Sequence, residues 1–131
     1  MSTQYLDLRD FLAIAAMVLK LKAEEVVSFA RLHLAVPALD APAALTGLDE
    51  LYADLPTKAA VLCSRLCRSD ALPRANEAVG YVCMLEFLER NGRAVRIDDS
   101  ETPQVAALLR KIARRETVDE ELAQWIRARL N

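Results

Sequence analysis

Apolar residues recur at the three- and four-residue spacing of a helix face along most of this chain. Leu8, Phe11, Leu12, Ala15, Ala16 and Leu19 form the first such stripe, with Asp7 as its cap and Arg9, Asp10 and Lys20 left for solvent. A second segment from Ala23 carries Val26, Val27, Ala30 and Leu34, and Pro37 and Pro42 each remove a backbone donor there, which predicts two short helices. Thr46 to Leu51 is a polar break around Gly47. Asp54 then stands as N-cap before Leu55 and Pro56, starting a helix to about Ser69 that turns Ala59, Leu62, Cys63, Leu66 and Cys67 inward.

Between Asn76 and Asn91 the apolar set is Val79, Val82, Cys83, Met84, Leu85, Phe87 and Leu88, wider than one stripe. A helix apolar nearly all round belongs at the centre of a protein. Gly92 can take the left-handed conformation that ends it, and Ala94 to Ile97 reads as a short extended piece. Thr102 is expected to cap a helix from Pro103, with Val105, Leu108, Leu109 and Ile112 on one side. Thr117 and Glu120 form a capping-box pattern for the last helix, whose expected anchors are Val118, Leu122, Trp125, Ile126 and Leu130. The expected architecture is all-α: one compact domain over residues 1–131, around a central buried helix at about 76–91, with a short flap near 46–53.

Composition supports that reading. A chain of 131 residues suits one domain, and 53% hydrophobic against 27% charged residues, with only 3 Gly and 5 Pro, excludes a disordered or repeat-biased polymer. A formal charge of -2 and a pI near 5.5 supply no general basic field, so a direct nucleic-acid partner is not expected. No apolar run approaches the ~20 residues that span a bilayer, and MSTQYLDLRD lacks the basic start and apolar core of a signal peptide. A cytoplasmic protein with no membrane partner is the expectation. Three cysteines, an odd number, fit a reducing compartment better than a disulfide framework.

The stretch DALPRANEAVGYVCMLEFLERNG, Asp70 to Gly92, is a short polar loop running into the most apolar helix. Its length, its Ala75-Asn76 helix start and its Asn91-Gly92 exit resemble the motif segment of the Fic/Doc (death on curing) family, HxFx(D/E)(G/A)NxR. Aligned on Asn76, the family's His falls on Asp70, its Phe on Leu72, its acidic residue on Arg74, its Gly or Ala on Ala75 and its Arg on Ala78. GLDELYADLPTKAAVLCSRL, Gly47 to Leu66, is similar to the flap and helix that precede the motif in Doc-like proteins, and RLHLAVPALDAP, Arg31 to Pro42, to the region before the flap. The likeness thus covers most of the chain up to Gly92.

In the family the loop and helix form a nucleotide-phosphate site: the His serves as base, the acidic residue holds magnesium, the helix-start amides cradle phosphate and the Arg clamps its charge. Here an ordinary Asp, with a pKa of about 3.9, replaces the base at Asp70 and is poorly matched to neutrality. A guanidinium at Arg74 repels a metal ion, and Ala78 deletes the clamp. The resemblance therefore implies a Doc-like protein of toxin-antitoxin type with a degenerate motif, acting by binding. A residual phosphate or nucleotide site is expected at Arg74, Ala75 and Asn76; the plainer reading is that Asn76 caps the helix and Arg74 is solvated. No cofactor is expected, ATP with Mg2+ entering only if transfer survives. The implied partner is a Phd-like antitoxin, or another protein, laying a helix-forming segment along an apolar groove.

Two other functions compete with that one. A divergent transferase moving phosphate or AMP from a nucleotide to a protein hydroxyl would use Asp70 as base and Arg74 in place of metal charge. An unrelated helical adaptor would share only the architecture. Tyr52 on the flap either guides an extended target or packs on the central helix. Cys63, Cys67 and Cys83 are expected to pack as free thiols rather than bind metal, since His33 is the only histidine that could complete a zinc site. Arg110, Lys111, Arg114 and Arg115 read as charges complementing a helix C-terminus, or as a docking patch for an acidic segment.

Overall fold

A computed structural model describes residues 2–131, and among these the fold is all-α. Asp7 and Asp10 start α1 (Leu8–Leu19) as a reciprocal box, each carboxylate accepting from the other's backbone amide at 2.9 and 2.8 Å. Asp10 is therefore not simply solvated, and its second oxygen takes a 2.7 Å bond from Arg90. The two short helices expected next are α2 (Ala23–Phe29) and α3 (Leu32–Asp40). Pro37 lies inside α3 rather than ending it, and the helix closes in a 3-10 turn, Ala41–Ala43, at Pro42.

The break around Gly47 is a hairpin of β1 (Leu45–Thr46) and β2 (Asp49–Glu50), antiparallel, with Gly47 at φ 65° in its tip. It leads to α4 (Leu55–Cys67), α5 (Asn76–Arg90), α6 (Thr102–Ala113) and α7 (Asp119–Arg127). Gly92, at φ 78°, closes α5 through two backbone bonds, its own amide to the Glu89 carbonyl and the Arg93 amide to that of Leu88. The extended piece that follows places Val95 in a single bridge with Leu130.

The centre of the fold is α4, not the 76–91 helix alone. Every residue from Lys58 to Ser64 is buried, as are Leu66 and Cys67, because α3, α5, α6, α7 and the 3-10 turn surround this helix. Helix α5 buries one face, Val79, Gly80, Cys83, Met84, Phe87 and Leu88, while Val82 and Leu85 stay half-buried beside α1. An apolar count measures side chains, whereas centrality depends on how many neighbours a helix has. The small side chains of Ala59, Ala60, Cys63 and Ser64 are what allow α4 to be enclosed on all sides.

Gly80 sets the closest approach of the central pair. A Cβ at that position would lie 3.1 Å from the Cys63 carbonyl oxygen, 3.2 Å from the Cys67 sulfur and 3.3 Å from the Leu66 Cβ. Lys58, 2% exposed, ties the hairpin to α4: its ammonium donates to Glu50 at 3.0 Å and to the Pro42 carbonyl at 3.4 Å, and it stands 5.7 Å from the Tyr5 ring centroid. Burial by itself pulls this ammonium's pKa down, but the hydrogen bond to Glu50 and the neighbouring Tyr5 side chain outweigh it and leave the pKa raised.

Two expected caps are replaced. Helix α6 begins at Thr102 itself, continuing from a 3-10 turn at Asp99–Glu101, so the Thr102 side chain is not its cap. Helix α7 is preceded by Val118, which is 67% exposed rather than an anchor. Thr117 donates to Glu121, and Glu120 instead pairs with Arg127 at 2.6 Å, so the expected box is absent because each of its members has a charged partner elsewhere.

Gly80→Ala is expected to destabilise the fold by about 1 kcal/mol, although alanine favours a helix, because two of the three nearest atoms belong to or adjoin the rigid α4 backbone. Gly80→Val should cost about 3 kcal/mol, both read by urea denaturation. The hydrogen bond from Arg90 chiefly holds the Asp10 carboxyl below its ordinary value of 3.8, against the opposing effect of burial. Folded protein thus keeps this proton off where unfolded chain binds it, so the stabilisation is present above that value and is lost as pH falls through the folded pKa. Asp10→Asn should be about 1 kcal/mol less stable at pH 7, with the difference closing as pH falls through the lowered folded pKa of Asp10.

Candidate functional site

Between α4 and α5 the chain must reverse within eight residues, Arg68 to Ala75. Ser69 begins the turn, its hydroxyl donating to the Leu66 carbonyl at 2.9 Å and accepting from the Ala71 amide at 3.1 Å. Asp70 follows at φ 53°, and the Ala71 carbonyl accepts from the Arg31 amide at 2.8 Å. The Ala71 and Leu72 side chains are buried, which fastens the loop to the core. Asn76 closes it: its carboxamide accepts from the Leu72 amide at 3.1 Å and donates to the Leu72 carbonyl at 2.8 Å.

That clamp changes the role expected of Asn76. The residue does not cap α5, since its side chain is turned back on the loop; the cap position belongs to Ala75, in the left-handed region at φ 66°, ψ 21°. An alanine has no side-chain oxygen to offer. Among the described residues, the amides of Asn76, Glu77 and Ala78 consequently meet no protein acceptor at the start of a 15-residue helix.

A cleft of about 690 Å³ opens at this point. Asp70, Ala75, Asn76, Glu77 and Ala78 line one part of it, Cys67 and Arg68 at the end of α4 another, and Ala113 and Arg115 at the end of α6 the rest. Of the residues singled out in the sequence, Asp70, Ala75, Asn76 and Ala78 therefore share one cavity. Arg74 is exposed and takes no part in the lining, because the left-handed turn at Ala75 reverses the chain between it and Asn76. Tyr52 also lies outside it. Its hydroxyl accepts from Arg65 at 3.3 Å, docking the flap on α4.

The cations of the cleft are ones the motif did not indicate. Arg68 donates through Nε to the Ile112 carbonyl at 2.7 Å and holds a guanidinium nitrogen 3.6 Å from Asp119. Arg115 sits at φ 60° just past α6 and forms no ion pair among the described residues. No local pattern links the end of α6 to the start of α5, so only the packing brings Arg115 there. Of the four non-glycine residues at positive φ among those described, Lys20, Asp70, Ala75 and Arg115, three line this cleft. Such strain, about 1 kcal/mol or more at each, concentrates at sites where the backbone is held for a purpose.

Arg68 and Arg115 share the cleft lining with Asp70 and Glu77, so the formal charge there is balanced and the amides supply the directional donors. The three cysteines are buried and free, with the Cys63 and Cys67 sulfurs 3.9 Å apart. The hydrogen bond with Cys67 and burial push the Cys63 thiol up, and burial pushes Cys83 up to about 12, so neither is a thiolate at neutral pH. Among the described residues no three metal-ligating side chains converge, and no helix is long and apolar enough to cross a membrane. His33 is exposed on α3, away from the cleft lining.

No protein-family model matches this chain, and neither does any curated protein or any solved structure.

Ala75→Gly is expected to stabilise the protein by about 1 kcal/mol in thermal or urea denaturation, since glycine adopts the left-handed region without the Cβ clash. Asn76→Ala should instead cost about 2 kcal/mol by releasing both Leu72 hydrogen bonds.

Proposed function

We propose that this chain is a Doc-like protein of toxin-antitoxin type that acts in the cytoplasm by binding rather than by transferring phosphate or AMP. The observation that carries the reading is the cleft at the start of α5, where Asp70, Ala75, Asn76 and Ala78 come together around three free amides. These are the positions at which the family places its base, phosphate cradle and arginine. A hairpin upstream, the flap of the resemblance, adds to the support.

Catalysis is disfavoured by the side chains themselves. The aligned acid is Arg74, which lies outside the cleft lining and so neither binds a metal ion nor substitutes for its charge. A base without a metal or clamp leaves the negative charge of a phosphoryl transition state largely uncompensated. Binding survives these losses, because amides at a helix start attract phosphate whether or not it reacts.

The partner expected in this reading is an antitoxin segment that folds into an amphipathic helix on contact. A groove of about 410 Å³ between α1 and α5 suits it: Ala13, Ile14, Met17, Val82 and Leu85 supply apolar wall, and Met17 is 62% exposed.

Isothermal titration with ADP and ATP, with and without Mg2+, should give heat with a Kd near 1 mM or tighter and little dependence on the metal. Absence of heat at several-fold higher concentration removes the nucleotide from the proposal. Ala78→Arg, which returns a guanidinium to the cleft lining beside the open amides, should tighten ADP binding about tenfold in the same titration. A folded Ala78→Arg variant that binds ADP no better than the parent chain would falsify the alignment on which the Doc-like reading rests.

A further inference from the structure

Arg68 and Arg115 line a second cavity as well, of about 460 Å³, whose remaining walls come from α3, α4 and Ser69 in the loop that follows α4. Leu34, Pro37 and Ala38 of α3 give it an apolar side, and Arg65 of α4 joins the other two guanidiniums. No carboxylate lines it. Asp119 approaches from outside the lining, 3.7 Å from Arg65 and 3.6 Å from Arg68, distances too long for direct hydrogen bonds. Three cations against that one acid leave the groove positive.

The donors needed to hold an anion are largely unspent. Arg65 gives one nitrogen to the Tyr52 hydroxyl, Arg68 gives Nε to the Ile112 carbonyl, and Arg115 gives none to a protein side chain among the described residues. Arg115 is also held where a side chain is costly, at φ 60°, with its amide bonded to the Ile112 carbonyl and the Glu116 amide to that of Lys111. Glycine closes a helix this way with less strain. An arginine in that place supplies a cation to the groove at a conformational cost.

We infer that this groove binds a small organic anion in which an oxyanion head, a phosphate ester foremost, is joined to a compact apolar body. The head lies against Arg65, Arg68 and Arg115, whose planar guanidiniums match paired oxygens, and the body lies on Leu34, Pro37 and Ala38. A cavity of this volume accommodates a small molecule. The inference needs neither the Doc-like alignment nor the amides of α5; it shares only Arg68 and Arg115 with the cleft.

Phenyl phosphate, inorganic phosphate and benzoate are the probes, followed through the arginine Nε-Hε signals in 1H-15N spectra of the whole chain. Phenyl phosphate should give saturable shifts at Arg65, Arg68 and Arg115 with a Kd near 1 mM, at least about fivefold tighter than inorganic phosphate, which lacks the apolar body. Benzoate shifting the same signals more tightly than phenyl phosphate would assign the head as carboxylate within the same chemistry. Arg115→Gly should weaken binding about tenfold while its melting temperature holds or rises, separating loss of the cation from loss of the fold. Arg65 and Pro37 line the groove and not the α5 cleft, so Arg65→Gln and Pro37→Glu should each weaken binding comparably. The inference is overturned if no signal saturates by about 10 mM, if inorganic phosphate binds as tightly as its phenyl ester, or if Arg65→Gln and Pro37→Glu both bind like the parent chain. That last pattern would place the anion in the α5 cleft, leaving the Doc-like reading intact while removing the groove.

Discussion

The contact of α4 with α5 across Gly80 is the constraint from which the rest of the molecule follows. With no Cβ at that position, the α5 backbone comes within van der Waals reach of the Cys63 carbonyl and the Cys67 sulfur. Burial of Leu62, Leu66, Met84, Phe87 and Leu88 then contributes about 2 kcal/mol per side chain around the seam. Holding two antiparallel neighbours so close leaves only a tight connection between them. The reversal at Arg68 to Ala75 therefore uses left-handed residues at Asp70 and Ala75 and the carboxamide of Asn76 as a clasp.

The cleft is a by-product of that tight reversal. A helix start with an ordinary Ser or Asp cap would satisfy its own amides, but a clasp facing backward and an alanine at the cap position leave them open. The end of α6 then closes the cavity from the far side, where Arg68 reaches the Ile112 carbonyl. Conformational strain at Asp70, Ala75 and Arg115 and exposure of polar backbone at Asn76 to Ala78 coincide in one place. Stability alone favours neither, which is why the site stands out from the other helix ends.

Charge is distributed by the same packing. Arg90 joins α5 to α1 through Asp10 at 2.7 Å, Arg127 joins α7 to α4 through Asp54 at 2.9 Å, and Lys58 holds the hairpin through Glu50 at 3.0 Å. These pairs spend their cations on joining elements. The guanidiniums of Arg65, Arg68 and Arg115 are engaged more loosely, and they meet where α3, α4 and the end of α6 converge. A chain with a formal charge of -2 thus still presents a local positive surface, a property of placement and not of composition.

Helical class, the Asp7 cap, the Gly92 stop and the inward set of α4 were legible from periodicity and local capping chemistry, because each depends on residues within a turn or two of one another. The position of Asp70, Ala75, Asn76 and Ala78 on one loop and helix start was equally readable, as a matter of sequence adjacency. Tertiary packing decided the rest. It enclosed α4 even more fully than α5, sent Arg74 away from the cleft, turned Asn76 from cap to clasp, drew Glu120 to Arg127 and brought Arg115, just past α6, into one cavity with the start of α5. These outcomes depend on contacts between residues distant along the chain, whose energies no local window of side-chain types contains.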